Sequence, residues 1–252
     1  MVTRALRLWL GVVLTFGFTL AAANDASAQG AVRGSLALLE RAGAASRDVG
    51  SAVVYLEATP HTAPQGRDVP LGRDVPQGRD VPQGRDVLAT ASIDMKRREF
   101  EPHVQFVRVG GTVGFPNSDP FSHNVFSNSA LGAFDLGLYR SGVTRSFTFP
   151  RAGVYAIYCN IHARMVSFVV AVSTPWVATA KNDGQFSITA VPAGTYKLHA
   201  WHERTPEVVR EIVVTAAGLS GVTLTLDARG YVAKPHLNKF GAPYALTRAD
   251  RY

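Results

Sequence analysis

The chain has 252 residues, is 46% hydrophobic and 18% charged, and carries a formal net charge of +7. That balance excludes a disordered polyelectrolyte, the length allows two small domains, and a single cysteine excludes an internal disulfide framework. The positive charge is dispersed, with Lys96-Arg97-Arg98 as its one dense cluster and no nucleic-acid-binding motif beside it. It reads as a solvated basic surface or as steering toward an acidic protein partner, with no nucleic acid as partner.

The N-terminus reads as an export signal. Arg4 and Arg7 precede an apolar run over residues 8–20, and Ala26-Ser27-Ala28 fits the small-residue cleavage rule. Cleavage after Ala28 would leave Gln29 as the first mature residue; cleavage after Ala23 is the alternative. An uncleaved anchor is disfavoured because the run is shorter than the roughly 20 residues a spanning helix needs. No later segment is apolar enough to span a bilayer. The expected protein is periplasmic or secreted, with no membrane span once residues 1–28 are removed.

From Gly30 onward the pattern is β. Short runs rich in Val, Ile, Tyr and Phe are punctuated by Gly, Pro, Asn and Asp, which suggests sandwiches or barrels. Residues 29–62 hold Gly30-Ala31-Val32-Arg33-Gly34 and Ser51-Ala52-Val53-Val54-Tyr55-Leu56. Residues 63–88 contain a hexapeptide repeat, GRDVPL then GRDVPQ twice then GRDV. Each unit offers one Val, one Pro, one Gly and an Arg-Asp pair, too little apolar surface for a stacked solenoid, so a loose surface loop is expected.

Residues 89–173 read as one β domain. Strands are expected over 93–100, 102–109, 112–115, 145–149, 154–158 and 166–172, with His123 on a loop bent by Asn117-Ser118-Asp119-Pro120. That run favours a turn role for Asp119 over a contact to the site. Residues 174–227 read as a further β unit with a hairpin signal at Asn182-Asp183-Gly184-Gln185-Phe186 and a turn at Pro192-Ala193-Gly194. The basic tail, 228–252, has no pattern that places it.

The chemistry concentrates at Cys159-Asn160-Ile161-His162-Ala163-Arg164-Met165, a Cys-x2-His-x2-Met run holding the chain's one cysteine. In an exported protein a lone cysteine is a free thiol, an intermolecular bridge or a metal ligand. Soft sulfur beside imidazole suits copper, and two His, one Cys and a weak axial Met form a blue-copper site. His123 is the candidate second imidazole. Zinc accepts Cys and His but rarely thioether. His103 reads as structural, and His199 and His202 fall on opposite faces of a strand, unable to chelate one ion as a pair.

Residues 100–172 resemble the cupredoxins, the plastocyanin, azurin and amicyanin family, with the ligand-loop spacing of amicyanin. The resemblance implies His123, Cys159 and His162 as copper ligands, Met165 as the axial thioether, and Asn124 as the residue that ties the two ligand loops together. It implies a single type 1 copper ion, electron transfer with redox partner proteins, and no enzymatic activity. The two-part chain resembles the exported "methylamine utilization protein" group. Residues 179–214 resemble the carboxypeptidase regulatory-like, transthyretin-related sandwich on Asn182-Asp183-Gly184-Gln185-Phe186 and Val191-Pro192-Ala193-Gly194-Thr195-Tyr196. The expected fold class is all-β: a cupredoxin Greek-key sandwich over 89–173, inserted into a regulatory-like sandwich of 29–62 and 174–227. The alternative pairs 29–62 with the 100–172 sheet. Copper storage or delivery, and a non-metal envelope module, are the other functional readings.

Overall fold

The computed structural model describes residues 29–41, 46, 49–59 and 89–244. The expected signal peptide, the hexapeptide repeat and residues 245–252 lie outside the described residues. The chain is all-β. In order, the strands are β1 (Gln29–Leu39), β2 (Val53–Ala58), β3 (Thr90–Ser92), β4 (Asp94–Lys96), β5 (Glu99–Glu101), β6 (Val104–Arg108), β7 (Thr112–Pro116) and β8 (His123–Ser127). They continue as β9 (Phe134–Tyr139), β10 (Thr144–Thr148), β11 (Gly153–Tyr158), β12 (Val166–Val172), β13 (Val177–Thr179), β14 (Gln185–Pro192), β15 (Gly194–Trp201), β16 (Val208–Val214) and β17 (Leu219–Asp227). No helix among the described residues is long and apolar enough to cross a membrane.

Four larger sheets form two sandwiches. One stacks β14-β1-β17 on β13-β2-β15-β16. The other stacks β10-β7-β3 on β6-β12-β11-β8-β9, with the β4-β5 hairpin at its rim. The N-terminal strands β1 and β2 hydrogen-bond to strands beyond residue 176: β1 to β14 and β17, β2 to β13 and β15.

Period-2 side-chain alternation explains how β2 and β12 serve two cores. On β2, Val54 and Leu56 enter the core of the flanking sandwich while Val53 faces outward. On β12, Val169 and Ala171 enter the core around Cys159, while Val170 and Val172 face the other way. Val53, Phe106, Val170 and Val172 meet in a dry seam between the sandwiches, flanked by Tyr55, Val104, Val154, Val177 and Trp201. Phe168 meets Trp201 edge-on across it at 5.1 Å. Val53 therefore pairs its backbone with Thr179 and Trp201 but packs its side chain on the neighbouring sandwich. A strand buried on both faces reads as a continuous apolar run, which is why 166–172 shows no alternation in sequence.

Three local expectations are corrected, and one strand is added. Residues 93–100 are not one strand but the tight β4-β5 hairpin, turned by Arg97 and Arg98 with φ of 57° and 59°. The Asn182-Asp183-Gly184 turn forms, with Gly184 at φ +80° and no room for a Cβ beside the Leu36 carbonyl. Its flanking strands β13 and β14 nevertheless go to opposite sheets instead of pairing as a hairpin. Strand β9, broken in sequence by Gly137, pairs along β8. His123 is the first residue of β8, not a loop residue.

Candidate metal centre

Strand β8 is buried along its whole length, so its first side chain is delivered into the sandwich and not to solvent. Strand β11 ends at Tyr158, and β12 begins at Val166 beside it. The turn between them is closed by Cys159 N–H donating to the Met165 carbonyl at 3.3 Å and Met165 N–H to the His162 carbonyl at 3.1 Å. Three donor side chains converge where this turn meets β8. His123 Nδ1 lies 3.0 Å from His162 Nδ1, and the Cys159 sulfur lies 3.8 Å from the first and 3.5 Å from the second. Cys159 and His123 are fully buried, and His162 is half-buried. Met165 is buried in the same core cluster as Cys159.

The His123 ring is oriented from behind. Its Nε2 donates to Asp119 Oδ2 at 2.8 Å, which leaves the Nδ1 lone pair aimed at Cys159 and His162. Asp119 in turn accepts the amides of Arg97 at 2.6 Å and Arg98 at 2.8 Å. Burial pushes the Asp119 carboxyl up, but the Arg98 amide, the His123 ring and the Arg97 amide outweigh it and hold the pKa below the usual carboxylate value. Left-handed backbone at two successive non-glycine residues costs of order 1–3 kcal/mol each. The two amide bonds to Asp119 stabilise that turn. The turn chemistry expected of Asp119 belongs instead to Asn117, whose side chain accepts the Asp119 amide and donates to the Phe121 and Tyr139 carbonyls.

Asn124 joins the two ligand segments: its Oδ1 accepts the Asn160 amide at 3.3 Å. Burial pushes the Cys159 thiol up, opposed by the backbone amides of Asn124, Ile161 and His162. Those amides stabilise a thiolate once a cation offsets the burial. Phe121, 37% exposed, covers both imidazoles with ring centroids 5.1 Å and 5.9 Å away, and the Arg98 guanidinium lies over the Phe121 ring, 5.2 Å from its centroid. The sequence offered one signal for Asp119, its place four residues before His123, and none for Phe121.

The donor set fits one transition-metal ion. Nitrogen and thiolate donors bound about 2.0–2.3 Å from a common centre stand about 3–4 Å apart, and the three observed separations fall in that span. His123, Cys159 and His162 are the one group of three or more His, Cys, Asp or Glu with converging ligand atoms among the described residues. His103 instead pairs with Glu203 at 3.1 Å, and His202 bonds Ser51 at 2.9 Å.

No family model and no curated protein matches the chain. Among solved structures, a reduced Cu(I) form of an amicyanin variant is 26% identical, covering 34% of this chain and 83% of its own, with a TM-score of 0.31. An oxidized amicyanin variant is 26% identical over 32% and 79%, with a TM-score of 0.30. A copper-containing nitrite reductase from Thermus scotoductus is 25% identical over 33% of this chain and 22% of its own length, with a TM-score of 0.32. These likenesses cover a third of the chain at low superposition scores, so the chemistry rests on the donor atoms themselves.

Proposed function

We propose that the protein is an exported, periplasmic type 1 copper protein that carries single electrons between redox partner proteins. The observation that carries this reading is the convergence of two imidazole Nδ1 atoms and one buried thiol, each on a strand end or a short closed turn. Copper bound there supplies a one-electron Cu(I)/Cu(II) couple.

The chain's own residues supply rigidity. His123 is fixed by β8 and by Asp119, while Cys159 and His162 share a turn clamped between β11 and β12. Donors fixed this firmly would shift little between Cu(I) and Cu(II), which would keep the rearrangement on electron transfer small. Met165, buried in the same core cluster as Cys159, would offer its thioether as a further, weak soft donor. His162, the less buried imidazole, suits electron exchange with a docked partner. Asp119 already accepts two amides and one imidazole, which favours a carrier over a centre with its own acid or base. Strand pairing supports one discontinuous domain, 29–62 with 174–227, into which 89–173 is inserted. That arrangement suits the two-part "methylamine utilization protein" type.

The test is an absorption spectrum with metal content on the oxidised protein. Intense visible colour at one copper per chain is expected. A colourless, copper-loaded protein would reject the type 1 assignment.

A further inference from the structure

The tail that the sequence could not place returns from the flanking sandwich to the metal turn. His236 stacks on Tyr158, the residue before Cys159, with centroids 4.2 Å apart and planes 22° apart. Tyr244 donates its hydroxyl to the Cys159 carbonyl at 2.7 Å and lies edge-on to His236. Between them, Lys239 N–H donates to Asn160 Oδ1 at 2.9 Å, and its ammonium meets Asp135 Oδ2 at 2.6 Å. A turn at Asn238, whose Oδ1 accepts the Phe240 and Ala242 amides, brings these groups round.

These contacts close a ring. Lys239 binds Asn160; Asn160 N–H binds Asn124 Oδ1; Asn124 Nδ2 donates to Asp135 Oδ1 at 2.7 Å; Asp135 binds Lys239. Asn124 follows the ligand His123, and Asn160 follows the ligand Cys159. The ring therefore ties together both segments that deliver metal donors, and the tail is its closing member. Burial pushes the Asp135 carboxyl up, yet Lys239, Asn124 and the Gly137 amide outweigh it and hold it below its ordinary value. A charged carboxylate at that position keeps the Asn124 amide turned so that its oxygen faces Asn160.

We infer that residues 236–244 are a third positioning element of the metal centre, holding the Cys159–Met165 turn and the start of β8 in their metal-binding arrangement. The inference rests on the copper reading for its purpose, not for its geometry. Tyr244 acts through the Cys159 carbonyl, and Lys239 acts through the Asn160 side chain and Asp135. The segment belongs to neither sandwich, so its removal leaves both cores complete.

Two measurements on the full-length protein test this. In the metal-free protein, amide hydrogen exchange over residues 159–165 and alkylation of Cys159 by an uncharged maleimide report how often the turn opens. In the Cu(I)-loaded protein, loss of metal to a chelator reports the same opening. Tyr244→Phe should speed all three by about fivefold, as loss of one hydrogen bond does. Lys239→Met should do likewise, and Lys239→Arg should stay within about twofold of the parent. A chain ending at Lys234 should speed them by more than tenfold, with exchange in β15 unchanged. Turn exchange and alkylation within twofold of the parent in Tyr244→Phe and Lys239→Met would overturn the inference, as would faster exchange spread equally through β15. The point variants decide the matter if the shortened chain does not fold. Failure of the parent to take copper would reject the metal reading alone, because exchange and alkylation still judge the strap in metal-free protein.

Discussion

In the flanking sandwich, His199 lies between Glu207 and Glu57, each 3.2 Å away, and His202 hydrogen-bonds Ser51 and the Arg204 amide. Their ring nitrogens end on partners supplied by neighbouring strands and loops. In the 89–173 sandwich, His123 is as deeply buried as His202, but a carboxylate takes only its Nε2. Its Nδ1 faces another Nδ1 and a sulfur. Burial alone therefore does not separate a structural histidine from a candidate ligand. The separating feature is lone pairs from different chain segments converging on one point with no carboxylate among them.

Removing the sulfur breaks that contrast most completely. Cys159→Ala should abolish all visible colour in the copper-treated protein while the fold is retained, checked by absorption and circular dichroism. Asp119→Asn should weaken metal binding by about 10–100-fold, the usual effect of losing the outer partner of a ligating histidine, measured by competition with a chelator. His199→Ala, an equally drastic change at the carboxylate-flanked histidine, should leave that affinity unchanged; equal losses at both sites would erase the distinction between the sandwiches. Met165→Leu should keep the colour and raise the reduction potential, because losing the axial donor disfavours Cu(II). An unchanged potential in voltammetry would leave Met165 as core packing only.

The donor triad was legible because its chemistry is local. Cys159 and His162 share one turn, and His123-Asn124 opens a strand whose five buried residues give a short polar-apolar run in sequence. Asn124 was legible through family resemblance, and its hydrogen bond to Asn160 is present. Asp119 was misread because Asn-Ser-Asp-Pro is strong turn chemistry, and only the folded chain shows Asn117 taking the turn while Asp119 faces His123. The β4-β5 hairpin was hidden because two arginines occupy left-handed backbone that glycine or asparagine would have signalled. The tail was illegible for a different reason. Its contacts to Tyr158, Cys159 and Asn160 span about 80 residues and carry no periodicity, so no local pattern encodes them.

The seam between the sandwiches gives a smaller effect. Val53→Ala removes two methyl groups from a site with no solvent exposure, against Phe106, Val170 and Val172. The expected cost is about 2 kcal/mol in chemical denaturation, with the colour of the native protein retained. A cost near zero would mean that the sandwiches are independent bodies that merely touch.

The smallest effect concerns pH. The Glu207 carboxylate, against burial and with help from Glu57, raises the His199 pKa above its free value of 6.5. His199, against burial and with help from Tyr55, lowers the Glu207 pKa below 4.5. For a raised imidazole, the stabilisation is complete below pH 6.5 and disappears as pH climbs through the folded-state value. For a lowered carboxyl, it is complete above pH 4.5 and disappears as pH falls through its own folded-state value. The pair should therefore stabilise most between about pH 4.5 and 6.5 and weaken toward pH 8. Glu207 keeps a third of its side chain in solvent, so screening holds the effect below about 1 kcal/mol. Urea midpoints of metal-free parent and His199→Phe, each at pH 6 and pH 8, isolate it, because every other ionisable group is common to both proteins and cancels in the difference. The parent should lose more stability than the variant between those two values. Equal losses would mean that the flanking carboxylates do not charge His199 in the folded state, and that the contrast with His123 lies in geometry alone.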